Sequence, residues 1–336
     1  VKLDVWRTGS SVAAFTARGR TAAERPILLL RVSSEGALGL GEVAPLPELD
    51  GQTVDAALSA LTALAAVGEI PAPTSDRGEA LRRASPALSF GLELALASRH
   101  AGSPGALTPA ADAAGPLRNT RLLGALSDPG LEALARRVEV DGFAAVKVKL
   151  GPQDRVDAAR HLSALRAWIG GGVELRVDCN GALSPADVLG LAPAFVAARV
   201  AFVEEPCAFE RLDELAPLTT PIFVDESLAR LGPSVLTHPR VRGAALKPTI
   251  LGGLTRTRAL ASEARRHGRE FYVSHTFEGP IAMAGLEALA RALEPGAMAH
   301  GLDRSHLVTD APARVARELD RPPDRSWSLE EPTWTP

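Results

Sequence analysis

From residue 118 onward the chain keeps one rhythm. Seven short apolar runs alternate with helical stretches: "TRLLGAL", "FAAVKVKL", "VELRVDCN", "VAFVEEP", "PIFVDES", "GAALKPT" and "REFYVSH". Between them, "PGLEALARRVEV", "RVDAARHLSALRAWI", "PADVLGLAPAFVAA" and "GLTRTRALASEARRHG" carry helical spacing. Strands that alternate with helices imply right-handed βαβ units and a parallel sheet. The polar residues at the run ends, Lys149, Asp178, Glu204, Asp225, Lys247 and Ser274, follow one another at intervals of 21 to 29 residues. One β/α unit of a (β/α)8 barrel takes about 30 residues, and its C-terminal strand ends converge on one mouth. A doubly wound open sheet is the alternative. It requires a G-x-G-x-x-G turn between a strand and a helix, and the sequence has none there.

The first hundred residues read differently. "RPILLLRVSS" and "ALGLGEVAPLP" predict two strands, and "TVDAALSALTALAAV" and "SPALSFGLELALASRHAG" predict helices, the first capped by Asp50 or Thr53. "SPGALTPAADAAGP" reads as a linker. The expectation is an α/β chain with an α+β domain at 1–114 and a barrel at 115–311. The tail at 312–336 is expected to pack back on the first domain.

Composition narrows the function classes. A formal charge of −3 and the lack of a basic, aromatic-rich patch argue against nucleic acid. No run of about 18 apolar residues suggests a membrane span. The N-terminus lacks a signal-like apolar segment, and the two cysteines, Cys179 and Cys207, make no disulfide framework, so a cytoplasmic location is expected.

Of 37 basic residues only four are lysines, and Lys147, Lys149 and Lys247 lie inside apolar runs. Arginine stays protonated in proteins, whereas a crowded or buried lysine can lose its proton. In a strand, Lys147 and Lys149 share a face. Asp178, Glu204 and Asp225 end three successive runs. Each could cap the following helix. Three together at one mouth call for a cation, and an all-oxygen donor set suits Mg2+. A metal beside a substrate carboxylate stabilises an enediolate, and an amine lowered toward the range near 7–8 can take the α-proton.

"GLGEVAPLP", "SFGLELAL", "AVKVKLG", "LRVDCNGA", "FVEEPC", "VDESL" and "LKPTILGGL" together resemble the enolase superfamily, in its muconate-lactonizing-enzyme-like subgroup, and most closely its o-succinylbenzoate synthase family. The resemblance implies a modified (β/α)8, TIM-like barrel under an N-terminal α+β capping domain. It implies Mg2+, with Mn2+ as a substitute, on Asp178, Glu204 and Asp225, with Glu205 behind them. It makes Lys149 the base and then the acid, Lys147 its tuning neighbour, and Lys247 the ammonium that faces the enediolate. Arg176 matches a residue near a succinyl group, and Asn180, Ser274, His275 and Thr276 would contact substrate.

The partner implied is a small-molecule carboxylate, and the reaction a dehydration within menaquinone biosynthesis. Cap loops are expected at 16–22 and 46–52. N-succinylamino acid racemases and muconate-type cycloisomerases share the apparatus. Dipeptide epimerases carry a late D-x-D pair that "GAMAHGLD" lacks. A barrel that binds metal without catalysis would lack a base or a ligand, and neither is missing here. Tyr272, the only tyrosine, reads as a packing residue.

Overall fold

The computed structural model describes residues 1–9, 15–17, 20–22, 25–102, 117–293 and 298–334. The expected linker, 103–116, and the tip of the first candidate cap loop, 18–19, lie outside the described residues.

Two sheets organise the chain. Strands β1 (Lys2–Thr8), β4 (Ile27–Ser34) and β5 (Ala37–Val43) are antiparallel neighbours, and β2 (Phe15–Ala17) with β3 (Arg20–Ala22) forms a separate hairpin. The tail returns as β13 (Arg325–Ser328) and pairs with β1, Leu3 opposite Trp327. Helix Pro86–His100 lies directly on β5. Glycines make this approach possible: a Cβ on Gly41 would sit 2.0 Å from the Gly91 carbonyl oxygen, and one on Gly39 2.0 Å from that of Ala95. Helix Val54–Val67 is capped by Thr53, whose hydroxyl accepts the Ala56 N–H at 3.1 Å.

The second sheet is parallel and strictly sequential: β6 (Thr120–Ala125), β7 (Ala145–Lys149), β8 (Glu174–Asp178), β9 (Val200–Glu204), β10 (Ile222–Val224), β11 (Val241–Leu246) and β12 (Glu270–Val273). All seven apolar runs are strands. The eighth position is only a bridge. His300 pairs with Asn119 and Gly301 with Ser274, so two residues close β12 back onto β6. The four bonds there are Thr120 N–H to His300 O, His300 N–H to Arg118 O, Gly301 N–H to Val273 O and His275 N–H to Gly301 O. A Cβ on Gly301 would meet the Ser274 hydroxyl at 2.6 Å, so the two segments approach closely at the closure.

Two of the four expected helices, "PADVLGLAPAFVAA" and "GLTRTRALASEARRHG", form over nearly their full length, and two are shorter than their periodicity predicts. "PGLEALARRVEV" is helical only over Leu131–Ala135, and "RVDAARHLSALRAWI" only over Ala158–Ile169. Their buried sides pack into one large apolar layer with the strands, including Leu162, Leu165, Val188 and Phe195. Two buried glutamates join the units. Glu42 on β5 accepts the N–H groups of Gly279 (2.5 Å) and Ala282 (3.3 Å) at the start of helix Pro280–Leu293. Glu93 accepts the Thr255 N–H (2.8 Å) at the start of helix Leu254–Arg266.

Candidate active site

The register of the parallel sheet sets the depth of each side chain. Lys147 is level with Arg176, and Lys149 with Asp178, which is level with Glu204. Lys149 and Asp178 therefore stand at the rim, one strand apart. Lys147 and Arg176 lie one layer below, about 7 Å deeper at the usual strand rise. Counting the closing bridge as an eighth position, β7 and β11 are four places apart. Lys149 and Lys247 thus approach the mouth from opposite walls.

The mouth cavity is lined by both of these lysines and by Lys147, Asp178, Asn180 and Glu226, with Ser274, His275 and Thr276 along β12's end. Leu49, from the second candidate cap loop, closes one side. A larger space of about 980 Å3 opens beside Lys149 and Asn180, along the ends of β6 and β7.

The lysines differ in state. Lys147 stands between two carboxylates, 2.8 Å from Glu204 Oε1 and 3.3 Å from Asp178 Oδ2. Burial disfavours its charge, but Glu204 and its neighbours outweigh burial and hold the ammonium. Lys247 contacts Asp225, and although burial opposes it, this carboxylate keeps Lys247 protonated. The Lys149 amine forms no ion pair or hydrogen bond among the described residues. Its pKa is lowered, first by burial, with Lys147 and Lys247 adding to the shift and Asp178 opposing it. Of the three amines, Lys149 is the one whose proton is held less tightly than usual.

The carboxylates are buried to 4 % exposure or less. Burial acts to raise Asp178, yet Lys147, Lys149 and Lys247 outweigh it and hold the group low. Glu205 sits behind Asp225. Its Oε1 accepts the N–H groups of Asp225 (2.7 Å) and Ser227 (2.8 Å), and its Oε2 the Ser227 hydroxyl (2.8 Å). Burial nonetheless pushes it up to about 7. Asn180, at φ 46°, donates from its backbone to Asp178 (3.0 Å) and from Nδ2 to Glu226 (3.1 Å).

The donors fit a hard dication by chemistry and charge. All are oxygens, and Asp178, Glu204, Glu205, Asp225 and Glu226 bring five carboxyl groups against three lysines. Lys147 and Lys247 hold Asp178, Glu204 and Asp225 in ion pairs, and no three metal-ligating side chains converge on one point among the described residues.

Arg176 does not reach this mouth. Its guanidinium is fully buried, donating to Glu174 (2.7 Å), Thr120 Oγ1 (3.0 Å) and the Ala299 carbonyl (2.8 Å), and it lies 4.9 Å from the ring centres of Phe202 and Tyr272. Two residues before Asp178 on the same face, Arg176 stands one layer deeper than Asp178. Thr276 lines the cavity, but its hydroxyl is given to Glu278 (2.6 Å). Glu278 also accepts the Thr249 hydroxyl (2.6 Å), tying the loop after Lys247 to the end of β12.

Tyr272 packs as the sequence predicts, and it also touches a site carboxylate. Tyr272 is buried in the barrel interior with Phe202 and Phe223, and its hydroxyl donates to Glu204 Oε2. Glu204 therefore has Tyr272 on one oxygen and Lys147 on the other. The available signal was a lone tyrosine two residues before Ser274, on an inward face. The cysteines remain without a role: both are buried free thiols, and burial pushes Cys207 up to about 11.

Lysines on opposite walls of a parallel barrel, with carboxylates on the strand ends between them, define an enolase-type barrel enzyme. The chain belongs to the enolase C-terminal domain-like family, whose model matches residues 130–326. It is 29% identical over 303 residues to o-succinylbenzoate synthase of Klebsiella pneumoniae, covering 87% of each chain. Among solved structures, o-succinylbenzoate synthase of Thermosynechococcus elongatus with Mg in its active site aligns with a TM-score of 0.74 at 22% identity, over 96% of this chain and 100% of that one. A dipeptide epimerase of Enterococcus faecalis, complexed with Mg and L-Leu-L-Tyr, aligns with a TM-score of 0.78 at 19% identity, over 93% and 92%. No helix among the described residues is long and apolar enough to cross a membrane.

Proposed function

We propose that the chain is an o-succinylbenzoate synthase, a hydro-lyase that converts 2-succinyl-6-hydroxy-2,4-cyclohexadiene-1-carboxylate into 2-succinylbenzoate. The observation that carries this reading is the unequal state of the three lysines. Lys149 has a lowered pKa and its amine no partner among the described residues, while Lys147 and Lys247 are held as ammonium ions. A neutral Lys149 takes the α-proton. The released electron pair passes into the substrate carboxylate, and the Lys247 ammonium, on the opposite wall, faces the charge that develops. The same proton, now on Lys149, is returned to the hydroxyl as the carbon–oxygen bond breaks, and water leaves. The ring becomes aromatic, so the elimination runs downhill.

Asp178, Glu204 and Asp225 would hold Mg2+ or Mn2+. That dication supplies charge neutralisation at the substrate carboxylate when bound. Lys147 keeps Asp178 and Glu204 in position and lowers the proton affinity of Lys149. The antiparallel unit acts as the cap, with Leu49 as its contribution to the mouth. N-succinylamino acid racemization is the second reading, favoured by the lysine pair on opposite walls.

The test is a direct assay with Mg2+: loss of the diene absorbance, with N-succinyl amino acids followed in parallel by α-proton exchange in heavy water. Diene dehydration above exchange supports the synthase. Exchange alone makes the protein a racemase, and neither reaction ends the proposal.

A further inference from the structure

His275 is held at the mouth by an arrangement that settles which of its nitrogens carries the proton. It follows β12 directly, and its backbone N–H is fixed on the Gly301 carbonyl at 3.0 Å. Its Nδ1 accepts the backbone N–H of Phe277 at 2.9 Å. Phe277 adopts a left-handed φ of 61°, a conformation that bulky residues seldom take and that the surroundings must hold in place. A nitrogen that accepts a hydrogen bond has its lone pair in use, so the ring proton is on Nε2.

The ring cannot turn away from this arrangement. His306 stacks on it with centroids 4.5 Å apart, and Phe277 meets both rings edge-on, at 5.3 and 5.7 Å. His306 has a carbonyl at each ring nitrogen, that of Glu278 2.8 Å from Nε2 and that of Asp303 3.1 Å from Nδ1, and its neutral ring donates to one of the two. Nε2 of His275 has no hydrogen-bond partner among the described residues, and the ring lines both the mouth cavity and the larger space beside Lys149.

We propose that His275 is an uncharged hydrogen-bond donor whose Nε2–H holds a carbonyl or carboxylate oxygen of the substrate, and that it is not a base. This rests on the functional reading above and specifies its substrate class. A donor that stands among Lys147, Lys149 and Lys247 selects substrates rich in acceptor oxygens. It gives nothing to a free ammonium group, so the mouth favours an acid with a succinyl or similar oxo-acid arm over a substrate with an exposed amine.

The surroundings agree with the neutral form. A second proton would have to displace the Phe277 N–H from Nδ1. Burial, His306, Lys147, Lys247 and Arg25 all disfavour the charge, and the pKa of His275 lies well below its ordinary value. Of the acids around the ring, Asp303 has its carboxylate on Arg121 (3.3 Å) and Ser305 (2.8 and 2.9 Å), Asp178 is paired with Lys147 (3.3 Å), Glu226 accepts from Asn180 (3.1 Å), and Glu278 accepts the hydroxyls of Thr249 and Thr276 (2.6 Å each).

Three variants separate donor from base. In His275→Gln the side-chain nitrogen stands near the Nε2 position. His275→Asn keeps an acceptor for Phe277 but loses the donor, and His275→Phe loses both. With the Mg2+-loaded chain, His275→Asn and His275→Phe are expected to raise KM for the diene by about 10- to 100-fold, the loss typical of a hydrogen bond to a charged group. His275→Gln recovers most of that, and the pH profile of kcat keeps its shape. The affinity for 2-succinylbenzoate, measured by calorimetry, should fall in the same order.

Histidine 15N shifts in the unmodified chain give a readout independent of turnover. They should show His275 protonated on Nε2 only, without titration between about pH 6 and pH 8.5. A His275 that titrates in that range, an Asn variant as good as the original, or no binding of 2-succinylbenzoate overturns the proposal. If neither reaction is turned over but the tautomer and the order of affinities hold, the synthase reading fails and the donor stands.

Discussion

The contact between the two units should weaken as pH rises, and Glu42→Gln tests why. Glu42 is fully buried on β5, with its carboxyl at the start of helix Pro280–Leu293. Burial pushes its pKa from the ordinary 4.5 to about 7, against the two backbone N–H groups and Arg25, which favour the anion. A folded-state pKa above the unfolded one gives stability that is complete below about pH 4.5 and lost as pH rises through 7. The shift corresponds to about 3 kcal/mol. Between roughly pH 5 and pH 7 the unfolding free energy should fall by up to about 1.4 kcal/mol per pH unit for this group. Glu93, also pushed to about 7 by burial at the second helix start, adds a similar slope.

Glutamine at position 42 is neutral at every pH, but its amide nitrogen must face one of two N–H donors. The variant should start about 1–3 kcal/mol less stable at pH 5. The gap to the original chain should then close or reverse by pH 8. Urea unfolding followed by the fluorescence of tryptophans such as buried Trp6 reads both curves. A gap that stays constant or widens with pH would show that Glu42 is already an anion, with the helix start and Arg25 outweighing burial, and would refute the reasoning.

Other consequences are open to measurement. Replacing Lys149 by Arg keeps the charge and removes the titratable amine. It should cut dehydration by about a thousandfold or more, with unchanged circular dichroism, since general-base loss alone costs about 10²–10⁴. In the original chain kcat/KM should rise with pH through an apparent pKa below the ordinary lysine value, as Lys149 loses its proton. Tyr272→Phe frees one oxygen of Glu204. By the usual cost of losing a ligand's supporting hydrogen bond, Mg2+ affinity measured by calorimetry should fall about 10- to 100-fold. Gly253→Ala, at φ 132° and with its new Cβ 2.2 Å from Glu93 Oε1, should cost about 2 kcal/mol or more in urea unfolding.

The rim of the site was legible because strand periodicity and rim position carry the same information. A lysine or carboxylate that ends an apolar run must stand at a strand end, and Lys149, Asp178, Glu204, Asp225 and Lys247 all end one. Depth was not legible in the same way. Lys147, Arg176 and Tyr272 all lie on inward faces below the rim, and sequence alone gives them one description. What separates them is reach and company. The Lys147 stem carries its ammonium to Glu204 and Asp178. The Arg176 guanidinium is taken up by Glu174, Thr120 and Ala299. Tyr272 reaches Glu204 from a strand 68 residues later in the chain.

The glutamates that join the units were hidden for the same physical reason. Glu42 and Glu93 each appear as a lone acid in a glycine-containing apolar run, a pattern that signals burial but names no partner. Their partners are helix starts 237 and 162 residues away. Chain closure over such distances leaves no local trace, because its free energy depends only weakly on loop length. The same holds for the ring of contacts around His275. The bond that fixes its tautomer spans two residues, yet the stacking that holds the ring in place comes from beyond the barrel closure. A residue's chemical type could thus be read from the chain. Its protonation state, on which the proposed reaction turns, is set by neighbours that only the closed barrel brings together.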